Sequence, residues 1–232
     1  MDVPSPLPTA GAEAAVDHSA DRGSVAPHPT AADRATRAGA APRRWNASQF
    51  VPPGTAPVLH RDLTLRTGEA QKDFLYCFHR AQLALWCIEV KIPRIGSEAL
   101  AERLAVEVAE RIAATATELD RECARLCTLM SDRGAAVSLD YVRAPLRIER
   151  LPHYTQQALA ISALFEKLDL TCDLLHQCWF IGRCPTRELK VSLRHFREAV
   201  LEACSTIHDT YVAAKRELRP AVGPRPVPAT AR

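Results

Sequence analysis

Residues 97–130 read SEALAERLAVEVAERIAATATELDRECARLCTLM and carry a long, regular apolar pattern. Its apolar side chains recur at helical spacing, at Leu100, Leu104, Val108, Ile112, Leu119, Cys123, Leu126 and Met130. This spacing predicts one helix of about 50 Å, at 1.5 Å per residue, with Ser97 as its N-cap. Helices of this length usually belong to bundles or coiled coils, so the segment predicts a mainly α-helical domain.

A strand and a helix are predicted before this segment. Residues 58–67, VLHRDLTLRT, alternate polar residues with Leu63 and Leu65, which is the pattern of a half-buried strand. The apolar stretch that follows Gly68 predicts a helix, and Pro93 is expected to end it because proline cannot continue the hydrogen-bonded ladder.

A second strand and two helices are predicted after it. Beyond Gly134 the residues alternate again; the expected faces are Val137, Leu139 and Tyr141, then Leu146 and Ile148 beyond Pro145. A helix is predicted from Tyr154 to Ile181 and is closed by Gly182. A last helix is predicted from a Thr186 cap to about Leu218. The expected domain therefore has four helices and two short strands.

Proline marks the domain boundaries. The chain has 17 prolines, of which nine precede residue 58 and four lie at or after Pro220. We therefore expect residues 1–57 to form a disordered Pro/Ala-rich arm, residues 58–219 the helical domain, and residues 220–232 a disordered tail. Within the arm, the aromatic residues Trp45 and Phe50 are candidates for docking a protein partner or for packing back on the domain.

Charge and hydropathy limit the function classes. The net charge is +3, from 30 basic and 27 acidic residues, so no bulk field indicates a nucleic-acid partner. No apolar run reaches the length of a membrane span, and the N-terminal residues lack the pattern of a secretory signal. A soluble, cytoplasmic protein with reduced cysteines is therefore expected.

Sites for catalysis, cofactors and metals are not expected. The sequence lacks a dinucleotide fingerprint and a P-loop. Cys172 and His176, and likewise Cys204 and His208, stand four residues apart on helices, as metal ligands can. An antiparallel helix pair turning near Cys184 would place the two pairs about 12 Å out of step, too far for one zinc ion. We therefore expect a protein that is not an enzyme.

The first strand indicates a possible DNA contact. Ribbon-helix-helix regulators pair two identical strands of a dimer and place the ribbon in the major groove. With Leu63 and Leu65 directed inward, Asp62, Thr64 and Arg66 would face outward. Threonine and arginine can both contact base edges, so Thr64 and Arg66 are the candidate base-reading residues. The alternative is an ordinary edge strand.

A basic cluster begins the last predicted helix. Arg183, Arg187, Lys190, Arg194 and Arg197 lie close in sequence, with His195 beside them. Lys190, Arg194 and Arg197 share one helical face and, with Arg61, are candidates for contacts to DNA phosphates. The alternative is a solvated face without a ligand.

At this point the chain resembles the AcaB-like family of plasmids and integrative conjugative elements, over roughly Val58 to Leu218. The resemblance rests on four short motifs: Leu63-Thr64-Leu65-Arg66-Thr67 with Ala70; Val142-Arg143-Ala144-Pro145; Pro152, Tyr154 and Ala158; and Leu168-Asp169. It implies a DNA-binding transcriptional regulator of conjugative transfer with a ribbon-helix-helix-like element. The predicted first helix has about 25 residues, which is roughly twice the usual length of the first helix in a ribbon-helix-helix element.

Two functions follow from these observations. The first is a homodimeric transcriptional regulator of a mobile genetic element that binds double-stranded DNA through the ribbon. The second is a helical protein-interaction subunit of a conjugation or integration system, without DNA contact. If Arg66 and the basic cluster share one surface, DNA binding is favoured; if they lie on opposite faces, the interaction subunit is favoured.

Overall fold

The structure is a computed structural model, and it describes residues 57–95, 98–131, 139–141 and 144–218. In chain order these residues form β1 (Leu59–Leu65), α1 (Gly68–Trp86), a π-helical turn (Cys87–Lys91), α2 (Ile92–Ile95), α3 (Glu98–Ser131), β2 (Leu146–His153), α4 (Gln156–Phe180) and α5 (Thr186–Glu217). The long helices and the two-stranded antiparallel sheet confirm the predicted mainly α-helical class.

The long helix is confirmed as α3, which has 34 residues. Its buried side chains repeat at helical spacing from Ala101 to Leu126, because one stripe packs against the neighbouring helices. Ser97, its predicted N-cap, lies outside the described residues. The predicted cap of the last helix is wrong: Pro185 occupies the N-cap position of α5, and Thr186 is its first helical residue. The Thr186 hydroxyl instead accepts a hydrogen bond from the Trp179 indole N–H at 3.1 Å.

The prediction that Pro93 ends the first long helix is also wrong. Helical backbone continues through the π-helical turn and α2 to Ile95. In the π turn, the Ile92 N–H donates to the Cys87 carbonyl five residues earlier. A regular α-helix would press the proline ring against the carbonyl four residues before it, and the wider π turn relieves that contact.

The core is built around α4. This helix contacts α1, α3, α5 and both strands. Phe74 and Phe78 of α1 pack on Phe165 of α4, and all three side chains are fully buried. The rings of Phe74 and Phe165 meet edge to face with centroids 5.3 Å apart. Each buried phenylalanine contributes about 2–3 kcal/mol of hydrophobic stabilisation, so this cluster fixes α1 on α4.

The sheet is a ribbon of β1 and β2, which run antiparallel. Leu63 stands opposite Ile148, and Leu65 stands opposite Leu146. These four side chains are buried, because one face of the ribbon packs against α4. The inward positions of Leu63 and Leu65 confirm the predicted alternation of β1.

The pairing of β1 differs from the ribbon-helix-helix arrangement expected from the sequence. In that arrangement the strand pairs with its copy in a second chain. Here β1 pairs with β2 of the same chain. The partner strand has four buried residues to contribute to the same core, at Leu146, Ile148, Leu151 and His153. A single chain therefore forms the whole ribbon.

The second strand begins later than the alternation suggested. Residues 139–141 have no strand backbone, and β2 runs through Pro152 to His153. Val137, the arm up to residue 56 with Trp45 and Phe50, and the tail from residue 219 onward lie outside the described residues. In the part of the chain that the structure describes, no helix has the length and apolar character to cross a membrane.

Candidate nucleic-acid interface

The outer face of the ribbon points away from α4. Thr64 on β1 stands directly opposite Arg147 on β2, and both side chains are exposed. Their neighbours Leu63, Leu65 and Ile148 point the other way into the core, so the pleat fixes Thr64 and Arg147 outward. The Arg147 guanidinium makes no hydrogen bond or ion pair with another described residue. The sequence indicated Thr64 as an outward residue but not its pairing with Arg147.

A β-bulge interrupts the ribbon beside this pair. The register shifts between Arg61 and Leu63, so that two residues of β2 stand opposite Asp62. One of them, Arg150, has φ of 54°, in the left-handed region that non-glycine residues rarely adopt. The Asp62 carboxylate accepts the Arg150 backbone N–H at 2.9 Å. Asp62 therefore stabilises the bulge, and its carboxylate is already engaged on the ribbon itself.

Arg66 does not lie on the outer face. It follows the last residue of β1, and its guanidinium is directed toward α4. Nη1 lies 3.4 Å from the Asp173 carboxylate, and Nη2 donates to the Leu139 carbonyl at 3.1 Å. The guanidinium also lies 5.9 Å from the centre of the Tyr141 ring. Arg66 therefore stabilises the segment around residues 139–141, although the sequence placed it beside Thr64.

Asp169 of α4 holds the junction between β1 and α1. Its carboxylate accepts the backbone N–H of Arg66 at 3.0 and 2.9 Å, and both the N–H and the hydroxyl of Thr67 at 2.7 Å. The Thr67 hydroxyl oxygen in turn accepts the N–H of Ala70 and caps α1. A buried carboxylate beside a helix N-terminus also complements the helix dipole. This arrangement fixes the end of the ribbon on the bundle.

Asp173, one turn further along α4, collects three polar side chains. It accepts hydrogen bonds from the Tyr141 hydroxyl at 2.6 Å and from the Gln177 amide at 3.1 Å, in addition to Arg66. Burial, together with the hydrogen bond to the Asp173 carboxylate, raises the pKa of the Tyr141 phenol. The phenol therefore stays protonated and acts as a donor, so this cluster has a positioning role.

The four candidate phosphate-binding residues, Arg61, Lys190, Arg194 and Arg197, fall into two classes. Arg197 forms two hydrogen bonds of 2.8 Å to Asp73 of α1, a carboxylate with a side-chain exposure of only 4%. This hydrogen bonding raises the pKa of the Arg197 guanidinium. Arg197 is thus a structural residue between α5 and α1, and it does not share a solvent face with Lys190 and Arg194.

Arg61, Lys190 and Arg194 are at the surface. Arg61 pairs with Glu166 at 2.7 Å, and Arg194 pairs with Glu198 one turn away at 2.7 Å. Exposed pairs of this kind contribute little stability and exchange partners readily. Lys190 is exposed and makes no ion pair with the residues that the structure describes. These three cations remain available to a ligand.

Within the described residues, no group of three or more His, Cys, Asp and Glu side chains could hold a metal ion. The cysteines of the two Cys–His pairs considered as ligands lie in the helical core. Cys172 and Cys204 are both buried, and burial raises the pKa of the Cys172 thiol. The Cys204 thiol lies against that of Cys77 on α1, and the hydrogen bond between them raises the Cys204 pKa. Their positions are those of packing residues.

A crystal structure with a similar fold is that of AcaB from uropathogenic E. coli. The two proteins align with a TM-score of 0.66, over 70% of this chain and 83% of that one. The chain has the AcaB fold. Sequence identity to AcaB is 20%, so the likeness concerns the fold alone. No family model matches the chain, and no curated protein matches it in sequence.

The motifs behind the resemblance to the AcaB-like family lie mainly at the junction described above. Leu65, Thr67 and Ala70 lie around the start of α1. Asp169 accepts hydrogen bonds from Arg66 and Thr67, and the Ala70 N–H donates to the Thr67 hydroxyl oxygen. Ala144 offers its carbonyl to the Gln71 amide at 3.2 Å. Val142 and Arg143 lie outside the described residues. These motif residues maintain the AcaB fold at the point where the ribbon joins the bundle.

Proposed function

We propose that this protein is a DNA-binding transcriptional regulator of a mobile genetic element, and that its β1–β2 ribbon enters the major groove. The observation that carries the proposal is the outward pair of Thr64 and Arg147 on an antiparallel two-stranded ribbon. The major groove of B-DNA is about 12 Å wide and accommodates such a ribbon. The likeness to AcaB and the sequence motifs support this assignment.

A ribbon formed by one chain changes the expected binding unit. In a ribbon-helix-helix protein, two chains together form one ribbon. Here each copy of the chain forms a complete ribbon by itself. A homodimer would therefore present two ribbons to two half-sites. Arg61, Lys190 and Arg194 are the proposed phosphate contacts, because their present partners are exposed or absent among the described residues. Such a regulator acts in the cytoplasm and catalyses no reaction.

The test is fluorescence anisotropy of the full-length chain with a duplex from its own upstream region, across a salt series. Binding that weakens steeply as salt rises is expected, because phosphate contacts release counterions. Thr64→Glu places a carboxylate on the outer face and should abolish binding without unfolding the protein. Thr117→Glu is the matched control, because Thr117 is exposed on α3.

A helical protein-interaction subunit is the second candidate, and one observation favours it. Trp179 and Phe180 end α4 with 40% and 68% of their surfaces exposed, and their rings meet 5.4 Å apart. Exposed aromatic side chains of this kind are enriched at protein interfaces. If the folded chain fails to bind DNA at low salt, this function is preferred, and loss of partner binding in Trp179→Ala would support it.

A further inference from the structure

We infer that Arg147 of β2 is the guanine-reading residue of the ribbon and that Thr64 reads the neighbouring base pair. This inference rests on the proposed DNA-binding function. It replaces Arg66, which the sequence indicated, by a residue from the second strand of the same chain. In this inference, the DNA sequence specificity comes from Thr64 and Arg147, two side chains that are 83 positions apart in the sequence.

The position of Arg147 suits direct readout. Residues directly opposite in an antiparallel ribbon have Cβ atoms about 5 Å apart. Stacked base pairs are about 3.4 Å apart, so Thr64 and Arg147 can contact adjacent pairs from one ribbon. Arginine binds guanine through two parallel hydrogen bonds, to O6 and N7, and threonine contacts base edges or the thymine methyl group.

The other arginines of the ribbon are less available. Arg61 and Arg66 already pair with carboxylates of α4, Glu166 at 2.7 Å and Asp173 at 3.4 Å, although the exposed Arg61 pair can still exchange for a phosphate. Arg150 lies in the bulge, and its backbone is held in the left-handed conformation by Asp62. Arg147 remains on a regular, paired position of the strand, exposed, with no partner among the described residues. A guanidinium in this state loses no internal ion pair when it binds a base.

The bulge supports this geometry. Bulges increase the local twist of a ribbon and redirect the side chains beside them. Here the bulge lies at Arg61–Leu63, just before Thr64, and the Asp62 carboxylate fixes it. The outward direction of the Thr64–Arg147 pair is thus set by backbone geometry and does not depend on a flexible loop.

The experiment is selection of a randomised duplex library by the full-length chain, followed by sequencing of the bound fraction. The wild type is expected to enrich a motif that contains an invariant guanine. Arg147→Ala should lose preference for that guanine by about 10- to 100-fold and keep the preferences at the other positions. Arg147→Lys, which keeps the charge but not the planar fork, should lose part of the same preference while it retains more affinity than Arg147→Ala.

Two controls separate readout from folding and from charge. Arg121→Ala removes an exposed arginine of α3 and should leave the motif unchanged. Replacing the selected guanine by 7-deazaguanine removes the N7 acceptor, so it should weaken wild-type binding and have little effect on Arg147→Ala. A wild-type motif that survives unchanged in Arg147→Ala would overturn this inference and leave DNA binding intact. A wild type that enriches no motif and binds no duplex would overturn the proposed function as well.

Discussion

Removal of the Asp169 carboxylate is expected to be among the most destabilising single changes at the ribbon junction. Asp169 is 7% exposed, and its two oxygens accept two backbone N–H groups and the Thr67 hydroxyl. In Asp169→Ala these three donors lose their acceptor in a largely buried site. Each hydrogen bond to a charged group is worth about 1.5–3 kcal/mol.

The combined loss is smaller than the sum, because the Arg66 N–H is only partly buried and water can reach it. We expect Asp169→Ala to lower the free energy of unfolding by about 3–5 kcal/mol. For a domain of this size, that corresponds to a Tm about 10 °C lower. Asp169→Asn keeps one acceptor oxygen and should lie between the alanine variant and the wild type.

Urea unfolding followed by circular dichroism measures this effect. Asp209→Ala is the control, because the Asp209 side chain is 74% exposed on α5 and has only long contacts, with the Ser205 hydroxyl at 3.4 Å and His208 at 3.6 Å. Its free energy of unfolding should stay within about 0.5 kcal/mol of the wild type. If Asp169→Ala also stays within about 1 kcal/mol of the wild type, then the carboxylate does not hold the junction, and the assignment is wrong.

Three further predictions concern other contacts. Arg197→Met leaves the Asp73 carboxylate buried without its partner and should cost about 3 kcal/mol in urea unfolding; adding Asp73→Leu should recover much of this loss, and Arg194→Ala should have no measurable effect. Burial lowers the pKa of His153, so the native state favours the neutral ring; its contribution to stability is present above the unfolded pKa of about 6.5 and is lost as pH falls through and below it. When the pH falls from 7.5 to 5.5, the free energy of unfolding should therefore fall by up to about 1 kcal/mol more in the wild type than in His153→Gln. Arg150→Gly should keep or raise the Tm, because glycine adopts a φ of 54° without strain; a clear decrease would contradict the strain argument.

Local patterns were enough to predict the helices and the inward face of β1. The apolar repeat of residues 97–130 requires a long amphipathic helix, since only that backbone gathers those side chains on one stripe. In the same way, Leu63 and Leu65 alternate with polar residues, and only a strand places them on one face. Pro93 and Thr186 were misjudged, because a π turn and the Trp179 indole altered the local rules at those two positions.

The candidate site depended on contacts that a local pattern does not contain. The sequence predicted Arg66 and Arg197 as surface cations that bind DNA, yet each binds an aspartate more than 100 residues away in the chain. An arginine in solvent and an arginine on a buried carboxylate have the same local sequence, and only packing distinguishes them. The position of Arg66 relative to the basic cluster therefore does not distinguish the two functions, because Arg66 and Arg197 stabilise the fold.

The sequence by itself determined the elements of this protein, because hydrophobic periodicity and hydrogen bonding act over a few residues. It also determined that Thr64 faces outward, since its neighbours Leu63 and Leu65 must face inward. Only the tertiary structure decided that β1 pairs with β2 of its own chain and that Arg147 stands opposite Thr64. The choice of a strand partner depends on which faces the assembled helices leave open. The free energy that favours β2 comes from burying side chains in the core, so it is gained only when the whole core is formed.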